Sequence, residues 1–137
     1  MKITRVEPKG AKVALLDFLD LSTLPGDEVY EKAGAVWWIA YDGKTPVAYA
    51  GIKRWGSTMA FLCRAGVLKE YRGRGLHAKL IRVREAWARR AGIKHLITYT
   101  APFNLKSANN LIRAGYGLYK PEEEWGVEHA LYFWKDI

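Results

Sequence analysis

Between Thr58 and Thr100 the sequence changes its periodicity twice, and that change limits the folds open to it. Thr58 to Val67 (TMAFLCRAGV) is a run suited to a strand. A short loop with glycines at 73 and 75 follows. Leu76, Leu80, Val83, Trp87 and Ala91 then recur at four, three, four and four residues, one apolar stripe at helical period. Gly92 is a natural helix terminator, and His95 to Thr100 returns to strand. A strand, helix, strand unit of this kind lays its two strands parallel in one sheet through a right-handed crossover.

The flanking segments are of both kinds. Lys2 to Val6 alternates as a short strand, Pro8-Lys9-Gly10 breaks it, and Val13, Leu15, Leu16, Phe18 and Leu19 begin a helix. Leu24-Pro25-Gly26 reads as a turn and Asp27 to Lys32 as a second short helix. Ala35 to Tyr41 (AVWWIAY) and Val47 to Trp55 are strands joined by the hairpin signal Asp42-Gly43. Gly56-Ser57 turns the chain into the strand from Thr58, giving an antiparallel meander. After Thr100, Pro102 ends the strand, Asn104 caps a helix to Arg113 or Ala114, and Gly115 stops it. Tyr116 to Lys120 and Ala130 to Trp134 are two last strands, joined by an acidic connection from Pro121 to Glu128. The expected architecture is α/β: a mixed, mostly antiparallel sheet of about seven strands flanked by helices.

Composition narrows what such a chain does. Its 137 residues fit one domain, expected to span 1–137, and 50% are hydrophobic, enough for a core without metal or disulfide. The single cysteine, Cys63, excludes a disulfide framework and a multi-cysteine zinc site. His77, His95 and His129 are too scattered to suggest a metal site. No apolar stretch is long enough to span a membrane, and MKITRVEPKGAK lacks a signal-peptide core, so a cytoplasmic location is expected.

The formal net charge is +8, and it is concentrated. Residues 69–94 hold nine basic side chains against Glu70 and Glu85 alone. An anionic ligand such as a phosphate, nucleotide or nucleic acid is one reading, and a solvated helix face the other. The stretch Val67-Leu68-Lys69-Glu70-Tyr71-Arg72-Gly73-Arg74-Gly75-Leu76-His77 favours the first. Amides in the first turn of a helix lack intrahelical acceptors, the helix dipole adds positive potential, and glycines admit a phosphate close to the backbone. The spacing is not that of an NTP-hydrolysing loop, because no Gly-Lys-Ser/Thr follows, nor of a dinucleotide fingerprint, because position 78 is Ala.

These residues resemble the acetyl-CoA signature of the GNAT N-acetyltransferase superfamily, Arg/Gln-x-x-Gly-x-Gly/Ala behind a strand ending in Val. Arg72, Gly73, Arg74, Gly75 and Leu76 fit, Val67 stands at the usual distance, and His77 replaces the usual Gly or Ala. Asn104-Leu105-Lys106-Ser107, with Leu111, Ile112 and Ala114-Gly115-Tyr116, resembles a second segment of the family. The resemblance implies a strand splayed from its parallel neighbour just before the signature loop. The backbone of Ala65, Gly66 and Val67 would pair with pantetheine, the amides of residues 72–77 would hold the pyrophosphate, and Asn104 would reach the carrier from the later helix.

The implied activity is transfer of an acetyl group from acetyl-CoA to a primary amine of a small molecule or protein, by direct attack. A lysine-type amine with pKa ~10.4 is almost entirely protonated at neutral pH, so a proton must be removed, and the resulting oxyanion needs a donor. The tyrosine that many members use as thiolate acid is replaced here by Leu111. Ser107 matches the serine used by others, its alternative reading being a helix-capping hydroxyl. Tyr116 reads as core packing. Glu28, Glu31, Glu122 to Glu124 and Glu128 fit a cationic acceptor or simply solvent, and none is assigned as base. Cys63 and His95 read as structural, and Trp37, Trp38, Trp55 and Trp125 as core and pocket walls. Two other readings stay open: an aminoacyl-tRNA-acetylating enzyme, with the basic segment also contacting RNA, and a non-catalytic CoA- or partner-binding module. Homodimers are common in the family, and no metal is expected.

Overall fold

The computed structural model describes residues 1–24 and 30–137. The elements run β1 (Lys2–Val6), α1 (Ala11–Thr23), β2 (Val36–Asp42), β3 (Thr45–Trp55), β4 (Met59–Val67), a 3-10 turn (Lys69–Tyr71), α2 (Leu76–Arg90), β5 (His95–Thr100), α3 (Leu105–Arg113), β6 (Gly117–Tyr119) and β7 (Leu131–Asp136). The seven strands lie in the order β1-β2-β3-β4-β5-β7-β6. β1–β2, β2–β3, β5–β7 and β6–β7 are antiparallel. β4–β5 is the parallel pair, matched from Met59↔His95 to Phe61↔Ile97. The mixed sheet expected from the sequence is therefore present.

Local chemistry explains most boundaries. The β2–β3 hairpin turns over Gly43-Lys44, with Asp42 paired to Thr45, so the tip lies one residue beyond the Asp42-Gly43 expected from sequence. Gly43 sits at φ +61, a left-handed conformation that a glycine adopts without steric cost. The register slips between Ala40 and Tyr41, where the ladder jumps from Ala48 to Pro46; a bulge next to proline, which has no N–H to give, is an expected place for this. At the end of α2, Gly92 takes φ +81 and Ile93 N–H donates to the Ala88 carbonyl at 2.9 Å, a left-handed helix stop. Arg54 adds to it, its guanidinium donating to the Ala91 carbonyl at 2.6 Å. The short helix expected over Asp27 to Lys32 falls mostly outside the described residues; Tyr30 to Lys32 are irregular.

The chain divides into two compact units. One comprises Met1–Lys53 and Leu62–Arg84, the other Arg54–Phe61 and Glu85–Ile137, so both β4 and α2 contribute to each. In the first, Val6, Leu16, Leu19, Trp37, Ile39 and Tyr49 form the core, with Trp37 stacked on Tyr49. In the second, Ile93, Leu96, Ile97, Ala108, Leu111, Tyr116 and Phe133 are buried.

Helix α2 departs from the sequence reading. Leu76 and Leu80 of the expected stripe are buried, but Val83 and Trp87 are only half-buried, and Ile81, Arg84, Glu85 and Ala88 are buried instead. Hydropathy places no arginine or glutamate in a core, whereas hydrogen bonding does. Arg84 donates to the Leu80 and Gly51 carbonyls at 3.1 and 3.2 Å. Glu85 accepts from Tyr116 Oη at 2.8 Å and Lys135 Nζ at 2.9 Å. Buried charges stand when they are paired in this way. Among the described residues, no helix is long and apolar enough to cross a membrane.

Candidate active site

β4 leads straight into the glycine loop. Its last three residues, Ala65, Gly66 and Val67, are half-buried. Gly66 has a local reason: a Cβ there would run into the Thr23 side chain of α1 and come within 2.8 Å of the Tyr49 ring of β3. Only a residue without a side chain lets both lie flat on this stretch of backbone.

Beneath it lies a charged cluster that the sequence reading missed. Asp20, 2% exposed, accepts from Lys32 Nζ at 2.8 Å, Tyr49 Oη at 2.8 Å and Tyr30 N–H at 3.0 Å. Arg64 Nε of β4 stands 3.8 Å from the Asp20 oxygen that Tyr49 engages, and Lys32 also meets Asp17 at 3.1 Å. Burial by itself would raise the Asp20 pKa; the bonds from Lys32, Tyr30 and Tyr49 outweigh it and hold the carboxyl below its ordinary value. The signal in the sequence was an aspartate four residues from Leu16, on the inner side of an amphipathic helix.

After Val67 the chain is fastened at several points. Leu68 N–H donates to the Val47 carbonyl at 2.9 Å. Tyr71 Oη donates to Asp42 at 2.8 Å. Arg72 Nε donates back to the Val67 carbonyl at 3.0 Å, occupying one of the acceptor directions the resemblance assigned to pantetheine. Arg74 donates to the Glu70 carbonyl at 3.1 Å and lies 4.7 Å over the Tyr71 ring. Both arginines thus brace the loop while remaining exposed as charge.

The turn itself is open. Gly73 and Gly75 both take φ +77, and a Cβ built on either meets nothing within 4 Å. Helix α2 starts at Leu76, and Lys79 N–H makes the first bond to the Gly75 carbonyl, at 3.1 Å. The amides ahead of Lys79 therefore head the helix without acceptors from its own turns. His77 is half-buried, and burial together with the Arg84 charge pushes its pKa down to about 4, so its imidazole is neutral at pH 7. Arg72, Arg74, Lys79 and Arg82 are exposed around this end. Arg84 is not, so one of the nine charges counted in sequence is core, not surface. An open, amide-headed, cationic turn is suited to a diphosphate.

In the second unit, Asn104 caps α3 as expected, its side-chain oxygen accepting from Ser107 N–H at 3.3 Å. The cap is thus Asn104 and not the Ser107 hydroxyl. Tyr116 is buried and bound to Glu85, which agrees with core packing. His95 pairs with Asp136 at 2.6 Å on the surface. The remaining tryptophans separate: Trp37 and Trp38 are core, whereas Trp55 is 40% exposed and Trp125 half-buried. Trp125 belongs to an aromatic group. Its ring centroid is 5.1 Å from Phe61 and 5.2 Å from each of Trp55, Tyr99 and Tyr132. Cys63 is a half-buried thiol whose pKa burial raises to about 11, which leaves it a poor nucleophile. Among the described residues, no three His, Cys, Asp or Glu are grouped to hold a metal ion.

Comparison with known proteins adds the family. Residues 12–132 match the model of the Acetyltransferase (GNAT) family. No curated protein matches the sequence. Solved structures share the fold at low identity. An IAA acetyltransferase from Bacillus cereus is 16% identical, with a TM-score of 0.81 over 99% of each chain. A GNAT family acetyltransferase from Elizabethkingia anophelis with acetyl-CoA bound is 14% identical, with a TM-score of 0.79 over 98% of each chain. A Bacillus subtilis acetyltransferase in complex with CoA is 11% identical, with a TM-score of 0.80, covering 99% of this chain and 98% of its own. With the family matched over most of the sequence, the chain belongs to the GNAT acetyltransferases: it is an acyltransferase, of a family whose acyl donor is acetyl-CoA.

Proposed function

We propose that residues 1–137 act as a single GNAT domain that moves an acetyl group from acetyl-CoA to a primary amine by direct attack in a ternary complex. The observation that carries this is the open turn at Gly73 and Gly75 leading into α2, with exposed arginines on both sides of Gly73. In this reading the amides of residues 72–77 hold the pyrophosphate, and Arg72 and Arg74 supply charge while bracing the loop. The backbone of Ala65, Gly66 and Val67 pairs with the pantetheine arm. His77, neutral at pH 7, contributes a hydrogen bond and no charge. The Asn104 carboxamide keeps its NH2 for the carrier, because its oxygen serves the helix cap. Ser107 protonates the departing thiolate; the assignment is supported by Asn104 being the cap in its place.

The acceptor is an amine presented as the free base, and exposed Glu122, Glu123 and Glu124 suit a cationic molecule on approach. The test is calorimetry of acetyl-CoA binding with Gly75→Asp, which sets a carboxylate against the pyrophosphate. Gly92→Asp is the control, a glycine of φ +81 with open space around it, beyond the opposite end of α2. Loss of binding by about a hundredfold or more in folded Gly75→Asp alone, close to 3 kcal/mol, is expected. Equal affinities in both variants and the unaltered protein would remove the assigned site. Mass-spectrometric detection of acetylated products from an amine panel then tests turnover, and Ser107→Ala is expected to lower turnover more than acetyl-CoA affinity.

A further inference from the structure

We propose that the outer face of α1 is the contact by which two copies of this chain pair, helix against helix and antiparallel. The face belongs to the first compact unit alone, and the inference is independent of the acetyl-transfer reading. α1 buries Leu16, Leu19, Asp20 and Thr23. Its outer residues are not all polar. Ala11, Ala14, Phe18 and Leu21 are exposed, Phe18 at 55% and Leu21 at 52%. They recur at three, four and three residues, the spacing of a seam along which two helices pack knobs into holes. A helix that only covered its own sheet would carry polar side chains there.

The order of sizes along the seam says what fits it. The two alanines come first and the two large residues last. A parallel copy would set Phe18 against Phe18 and alanine against alanine, crowded at one end and hollow at the other. An antiparallel copy, centred at the level of residue 16, sets Ala14 against the partner's Phe18 and Ala11 against the partner's Leu21. Each contact then occurs twice about a two-fold axis. Large against small is the alternation that fills a helix interface.

Charge selects the same arrangement. α1 has no acidic residue in its first turn and no basic residue in its last, and Lys12 stands at the end where the helix dipole is already positive. An antiparallel copy lays that end beside the carbonyl end of its partner, which relieves both mismatches. The ionic groups flanking the seam keep their own partners, Lys12 at 3.1 Å from Tyr41 Oη and Asp17 at 3.1 Å from Lys32. The free sheet edge of this unit is guarded against a copy, because β1 carries exposed Lys2 and Arg5. From Ala11 to Leu21 the seam runs about 15 Å. Two such faces bury less than a standard interface of roughly 1,600 Å², so the dimer is reversible, half dissociated at roughly tens to hundreds of micromolar.

The test is sedimentation equilibrium of the full chain from about 10 μM to about 1 mM, a span suited to a weak interface. The mass is expected to rise from that of one chain towards twice that value. Phe18→Glu and Leu21→Lys alter exposed positions and are checked by circular dichroism, the second serving if the first fails to fold. Each should raise the dissociation constant about thirtyfold or more, the scale of a lost central anchor. For the direction of pairing, Ala14→Cys chains are mixed with Phe18→Cys chains under mild oxidation. Mixed-chain disulfide dimers, identified by mass spectrometry, should outnumber both like-chain products together, which chance would only equal. A chain that stays monomeric throughout, a dimer untouched by the folded variants, or no excess of mixed-chain disulfides overturns the proposal. So does a monomer that sediments with phosphatidylglycerol vesicles through Phe18, since the face then belongs to a lipid surface.

Discussion

Gly66 and His77 show how single residues carry the local design. Gly66 is fixed by its neighbours: Thr23 and Tyr49 occupy the space of any side chain there. Gly66→Ala is expected to destabilise by about 1–3 kcal/mol, the usual cost of overpacking, as read by urea denaturation. His77 makes a prediction in pH. Its pKa falls from 6.5 to about 4 on folding, so between these values the unfolded chain binds more protons than the native one. Stability should therefore drop as pH falls from about 6.5 to 4. In His77→Gln that part of the slope should disappear from the unfolding free energy measured across the window. Asp20 acts lower on the scale. Its carboxyl is held below the ordinary 3.8, so the stability it supplies is present above that pH and is lost as pH falls further, through the native pKa.

At the level of elements, helix ends do much of the work. Asn104 was legible because a side-chain oxygen ahead of an apolar run satisfies an orphan amide, and the structure has it bonded to Ser107 N–H. Asn104→Ala should cost about 1 kcal/mol in thermal or urea unfolding, and Asn104→Asp most of that less, since Asp caps equally well. The start of α2 was legible for a related reason: Gly73 and Gly75 mark backbone that must turn left-handed. The inner face of α2 was not. Arg84 and Glu85 are buried through partners at Gly51, Tyr116 and Lys135, all more than 30 residues away except for their own helix, and helical period alone cannot count hydrogen bonds made that far off.

On the scale of the whole molecule, each compact unit holds a buried ionic group as well as an apolar core. In the first unit Asp20 and Lys32 are each only 2% exposed. Asp20→Ala should leave the Lys32 ammonium without its main partner and cost about 3–5 kcal/mol by chemical denaturation. The double variant Asp20→Leu with Lys32→Met should recover a large part of that loss, because removing both charges also removes their desolvation. Failure of the double variant to gain over the single one would show that the pair's other contacts, to Tyr49, Tyr30 and Arg64, dominate.

Taken alone, the sequence determined the order of the seven described strands and of the three α-helices between them, the mixed sheet and the glycine turn ahead of a basic helix. These depend on short-range properties: hydropathic period, β-branched and aromatic runs, and the few residues that tolerate left-handed backbone. Tertiary structure alone decided that Asp20, Lys32, Tyr49 and Arg64 meet under Gly66, that Arg84 leaves the cationic surface for the core, and that Trp125 closes among Trp55, Phe61, Tyr99 and Tyr132. Each joins residues from separate elements, and such meetings are set by how strands pair and helices cross over, not by any pattern along one segment.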